Sequence, residues 1–166
     1  MLGLNRNIWL LFLVQPFALA ISPAVVLISG LVGKQLAPAP ELSTLPLTMM
    51  VVGLMLGAFP AAMLMQRFGR KTVFLGAMLV SASASGLAAI GILLSSFILF
   101  LSGVTLVGTT LAVVQQFRFA AVENVSRPDL AGRAISVLMI GSVGAAFIGT
   151  ELATWGEEMM SVTYAG

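Results

Sequence analysis

From Thr72 to about Phe117 the chain runs without a single charged residue. As one helix, at 1.5 Å per residue, that stretch would be about 69 Å long, while the hydrocarbon core of a bilayer is about 30 Å thick. It therefore folds back on itself, and the least costly place is around Gly91 to Ser96. The rest of the chain is of the same kind: 59% of its 166 residues are hydrophobic and 8% are charged. An ordinary soluble domain carries about a quarter charged residues to wet its surface. Lipid is the solvent this composition fits.

The expected fold class is all-α, a polytopic membrane helical bundle of about five transmembrane helices in a single domain over 1–166. The spans fall at about 8–33, 42–66, 72–93, 96–117 and 134–155, with a cytoplasmic loop at 118–133 that contains Pro128-Asp129. The first run, from Ile8 to about Gly33, is too long for a signal-peptide core; Ala18-Leu19-Ala20 is read straight through by apolar sequence. Pro16 and Pro23 bend this helix, and neighbouring helices tolerate them in a membrane. Orientation follows from the basic residues. With the amino terminus inside, the cytoplasmic segments hold Arg6, Arg67, Arg70, Lys71, Arg118, Arg127 and Arg133, and the outer segments hold only Lys34. The expected location is a bacterial inner membrane.

Several function classes fall away. The net charge is only +2, and the basic residues sit in short gaps between apolar runs, so nothing tracks a nucleic-acid backbone. There is no cysteine and no histidine. The chain thus lacks thiolate chemistry, the commonest metal ligand and the usual general base. No enzyme activity, cofactor or metal is expected. Ten methionines raise Cu(I), but two thioethers on one helix face need a spacing of three or four, and no pair has it. They fill core space.

In lipid, helices approach through small side chains. Gly53 and Gly57 form such a pair on the second span, Ser81 and Ser85 beside Gly86 on the third, and Gly141, Ala145 and Gly149 two successive ones on the fifth. Two polar stripes stand out against this. Gln15, Ser22 and Ser29 recur every seven residues on the first span, and Thr105, Thr109 and Gln116 follow at i, i+4 and i+11 on the fourth. Intramembrane polar groups turn inward or to a watery cavity. Gln15, Ser22, Thr109 and Gln116 are the candidate substrate-path residues, in a polar cavity shared by the first and fourth spans.

The junction of the second and third spans reads Ala62-Met63-Leu64-Met65-Gln66-Arg67-Phe68-Gly69-Arg70-Lys71. It resembles the signature loop of the major facilitator superfamily, G-x-L-a-D-R-x-G-R-K-x, in string, in position and in the side of the membrane. Arg67, Gly69, Arg70 and Lys71 match. Ala62 stands where the family has glycine and Gln66 where it has aspartate, which weakens the charged part of the motif. The resemblance implies that Gln66, Arg67, Gly69, Arg70 and Lys71 form a loop that helps latch one transporter conformation. Val104 stands where the family's R-x-x-x-G pattern has arginine, so proton coupling through that group is not implied. The antiporter pattern survives only as Ala145…Gly149-Thr150. The segments Gln115-Gln116-Phe117-Arg118-Phe119-Ala120-Ala121 and Gly132-Arg133-Ala134-Ile135-Ser136 look like a bacterial branch that includes copper and riboflavin uptake systems.

The resemblance covers helices one to five of the amino-terminal half, a partial six-helix domain. Superfamily transporters rock two six-helix halves about a central site, and the tail from Gly156 to Gly166 is too short and polar to cross. The expectation is a transporter-type protein for a small solute of unknown identity. It is completed by a longer chain, by another membrane chain or by itself. The alternative is a transporter-derived structural or assembly subunit without transport.

Overall fold

Two sharp reversals organise the middle of the chain, and a residue in a left-handed backbone conformation sits at each. In the computed structural model, which describes residues 6–116 and 131–164, five long α-helices occur among the described residues. They are α1 (Arg6–Leu36), α2 (Leu45–Phe68), α3 (Arg70–Leu93), α4 (Phe97–Gln115) and α5 (Ala131–Tyr164), with a 3-10 turn at Pro40–Leu42. Gly69 (φ 79°, ψ 153°) separates α2 from α3, and Ser95 (φ 50°) lies in the turn between α3 and α4. The stretch too long to be one span thus reverses between Leu93 and Phe97.

Among the described residues, four spans are long and apolar enough to cross a membrane: Phe12–Leu36, Pro40–Phe68, Arg70–Leu93 and Phe97–Gln115. The prolines do not interrupt α1, which stays helical through Pro16 and Pro23. The helix α5 begins at Ala131, inside the segment expected as loop, and continues to Tyr164 through the segment expected as tail. Phe117, Arg118, Phe119, Ala120, Ala121, Arg127 and Pro128-Asp129 lie outside the described residues.

The chain forms two compact units, one from residues 1–24 and 114–166 and the other from residues 25–113. In the second unit α4 is the central element. Burial covers 56% of its span, against 22% for each of α2 and α3. Glycines explain how it is enclosed. A Cβ on Gly53 would strike the Thr105 carbonyl, one on Gly57 would lie 2.7 Å from Thr109 Cα, and one on Gly108 would strike the Met50 carbonyl. The pairs 53–105 and 57–109 advance together, so α2 and α4 run parallel, backbone against backbone. A Cβ on Gly91 would lie 2.9 Å from Phe100 Cα, and one on Gly103 2.8 Å from Ala88 Cα. That reversed order makes α3 and α4 an antiparallel hairpin.

In the first unit the amino-terminal part of α1 packs on α5. The Pro16 ring lies against Gly144, and a Cβ on Gly149 would strike the Ala20 carbonyl and the Pro23 ring. Contacts advance in the same sense on both helices, so these two are parallel. Ala18, Ala20, Ala145 and Ala153 are buried, and small residues set the close approach that lipid-embedded helices need.

Candidate functional site

A glutamine amide carries two donors and an acceptor and cannot satisfy them on its own helix as a hydroxyl can. Gln15 is buried, 2% exposed, and its Nε2 donates to Ser142 Oγ on α5 at 2.8 Å. It is a polar tie between α1 and α5 within the first unit. Ser142 was not singled out by the sequence stripes; its place beside Gly141, in the small-residue run of α5, is the signal that could have found it. Ser22 is half-buried on α1. Ser29, in the second unit, is fully buried, and its hydroxyl has no hydrogen-bond partner among the described residues. Gln116 is half-buried just beyond the end of α4.

The threonines of α4 behave differently. Thr105 Oγ1 donates to Leu101 O at 2.7 Å, Thr109 Oγ1 to Leu106 O at 2.7 Å and Thr110 Oγ1 to Val107 O at 2.8 Å. Their donor hydrogens are absorbed by their own helix, which leaves only acceptor lone pairs to a neighbour. Thr105 lines a groove with Leu45, Met49, Ile98 and Leu101. Thr109 lines another, between α2, α3 and α4.

This second groove has a volume of about 450 Å³. Its floor is the buried cluster of Ala61, Ala77 and Val113. These side chains are too short to fill the space where the three helices diverge. Its walls are Leu56, Pro60 and Leu64 on α2, with Val73, Gly76 and Val80 on α3. Phe68 and Thr72 close the end nearest the α2–α3 turn.

That turn carries the signature-loop residues. The Gly69 N–H donates to Met65 O at 3.1 Å, ending α2, and its carbonyl accepts from Val73 N at 3.3 Å, starting α3. One glycine therefore serves both helix ends. Gln66, Arg67 and Lys71 are exposed and Arg70 is half-buried. The Arg67 guanidinium stands over the Phe68 ring, 5.4 Å from its centroid. Among the packing candidates, Gly53, Gly57 and Gly149 sit at close backbone approaches, and Ala145 is buried. The surroundings of Gly141 lie outside the described residues. Gly86 meets nothing within 4 Å, whereas Gly91, Gly103 and Gly108, which the sequence does not mark as packing residues, meet backbone directly. Among the described residues no cluster of three or more His, Cys, Asp or Glu exists that could hold a metal.

No protein-family model matches this chain. No solved structure matches it either. Among curated proteins it is similar to the riboflavin transporter RfnT of Brucella anthropi, with 39% identity over 151 residues. The match covers 91% of this chain and 38% of that transporter, so the chain spans well under half of the relative's length. With its apolar spans, the chain is a multi-pass membrane protein related in sequence to a transporter.

Proposed function

We propose that this chain is the amino-terminal part of a major-facilitator-type transporter that moves a small solute across the bacterial inner membrane, with riboflavin as the solute to test first. The observation that carries this reading is the 39% identity, over nearly the whole chain, to a riboflavin transporter. The R-x-G-R-K string at the α2–α3 turn supports the superfamily. The remaining helices of the transport unit come from further polypeptide, on the same chain, on a partner membrane chain or on a second copy.

In this reading Gln15, Ser22, Thr109 and Gln116 lie along the solute path, and Ser142 holds the Gln15 amide in place. A glutamine amide presents a donor and an acceptor side by side, the complement of the imide edge of a flavin ring. Gln66, Arg67, Gly69, Arg70 and Lys71 act as the latch at the cytoplasmic face.

The test is uptake of labelled riboflavin by riboflavin-auxotrophic cells carrying the protein in its native polypeptide context. Saturable uptake, competed by unlabelled riboflavin, is expected. Gln116→Leu should lower it about fivefold to tenfold, the worth of one hydrogen bond to a neutral group. If the protein reaches the membrane and uptake does not exceed that of empty-vector cells, riboflavin is the wrong solute. If Gln15→Leu and Gln116→Leu both leave uptake intact, these glutamines do not line the path.

A further inference from the structure

We infer that the groove between α2, α3 and α4 is a binding site for one anionic phospholipid, with its acyl chain in the groove and its headgroup on Arg67, Arg70 and Lys71. The inference rests on the reading that the α2–α3 turn lies at a membrane surface.

Three observations converge on this occupant. The first is length. Along α3 the groove runs from Thr72 to Val80 and along α2 from Phe68 back to Leu56, or about 12 and 18 Å at 1.5 Å per residue. One leaflet of a bilayer core is about 15 Å deep. The groove therefore matches a single acyl chain, and it is about half as long as a transmembrane helix would need. The second is shape. The small floor residues Ala61, Ala77 and Val113 leave about 450 Å³ open, and the walls Leu56, Leu64 and Val80 are exposed. The lining is almost wholly apolar, since Thr109 and Thr110 spend their donors on α4.

The third is charge at one end only. The groove ends at Phe68, under the Arg67 guanidinium, and the chain then places Arg70 and Lys71 in the first turn of α3. Cations in the first turn of a helix oppose the dipole, which favours an anion at that end. Three cations around a helix N-terminus attract a phosphate diester. A zwitterionic lipid gains less there, because its own cation is repelled.

The experiment is native mass spectrometry of the purified chain in detergent, titrated separately with dioleoyl phosphatidylglycerol and dioleoyl phosphatidylcholine. One phosphatidylglycerol should be retained in preference to phosphatidylcholine by about tenfold. The variant Arg67→Gln/Arg70→Gln/Lys71→Gln should lose that preference. Should it fail to fold, Arg67→Gln and Lys71→Gln singly, both at exposed positions, carry the same comparison. Gly76→Leu fills the groove at a site where a Cβ meets nothing within 4 Å. It should weaken dioleoyl phosphatidylglycerol about tenfold and leave short-chain dihexanoyl phosphatidylglycerol unchanged. Equal retention of the two lipids, or a preference that survives charge removal, overturns the site. So does long-chain binding indifferent to Gly76→Leu. A dimer that excludes lipid overturns it in favour of a second copy in the groove. None of these readouts depends on solute uptake, so the site and the transport reading fail separately.

Discussion

Gly69 sits at φ 79° and ψ 153°, a region essentially closed to residues with a Cβ. Nothing lies within 4 Å of where that Cβ would be, so the demand for glycine is conformational and owes nothing to crowding. Gly69→Ala should cost about 1–3 kcal/mol, read as a lowered midpoint in thermal unfolding followed by circular dichroism. An unchanged midpoint would show that the turn adopts another conformation. Gln15 makes the complementary case, in which the side chain alone matters. A hydrogen bond between helices in lipid contributes about 0.6 kcal/mol on average and up to about 1.7 kcal/mol. A double-mutant cycle with Gln15→Leu and Ser142→Ala should return a coupling in that range. Additive effects would mean that the 2.8 Å contact contributes nothing.

At the scale of elements, α4 owes its central place to glycines on both sides of the contact. Gly53 and Gly57 belong to α2, while Gly103 and Gly108 belong to α4 itself. Where two backbones touch, even one methyl group must push the helices apart. Gly108→Ala should therefore destabilise the protein by about 1–3 kcal/mol, the usual cost of overpacking. Gly86→Ala, in open space, should be neutral or stabilising by up to about 1 kcal/mol, because alanine is the better helix former. Chemical unfolding of both variants beside the parent decides it, and equal effects would contradict the packing. The sequence pairs Ser81 with Ser85 on α3, and Ser81 is buried, while Gly86 beside them faces open space. Spacing alone does not say which way a helix is turned. Gly108 with Ala112 has the same small-xxx-small spacing, and there Gly108 meets the α2 backbone and Ala112 is buried.

For the whole molecule, orientation is the property that everything functional depends on. The basic residues divide seven to one between the expected inner and outer segments, which predicts the α2–α3 turn inside and the Pro40–Leu42 turn outside. The chain has no cysteine, so a single introduced thiol reports its own side without background. Glu41→Cys should react with a membrane-impermeant maleimide in intact spheroplasts. Lys71→Cys should react only after permeabilisation. The reverse pattern would invert the topology and place the proposed lipid site in the outer leaflet.

Length and charge are additive along a chain, and they were enough for the sequence to determine that it crosses a membrane several times and where it turns. An apolar run of about 69 Å in a core of about 30 Å has to reverse, and the reversal falls between Leu93 and Phe97. The Arg67-to-Lys71 cluster likewise marks an interface without any tertiary information. Pairing is a different kind of quantity. Lipid solvates every face of these helices equally well, so the apolar residues spread around the whole circumference and no polar face points outward to define rotation. Only the tertiary structure decides that Gln15 meets Ser142, that Thr105 and Thr109 turn their backbones to α2, and that the basic turn stands at the mouth of a groove. Those outcomes depend on where glycine lets two backbones touch, and each contact involves residues far apart in the chain.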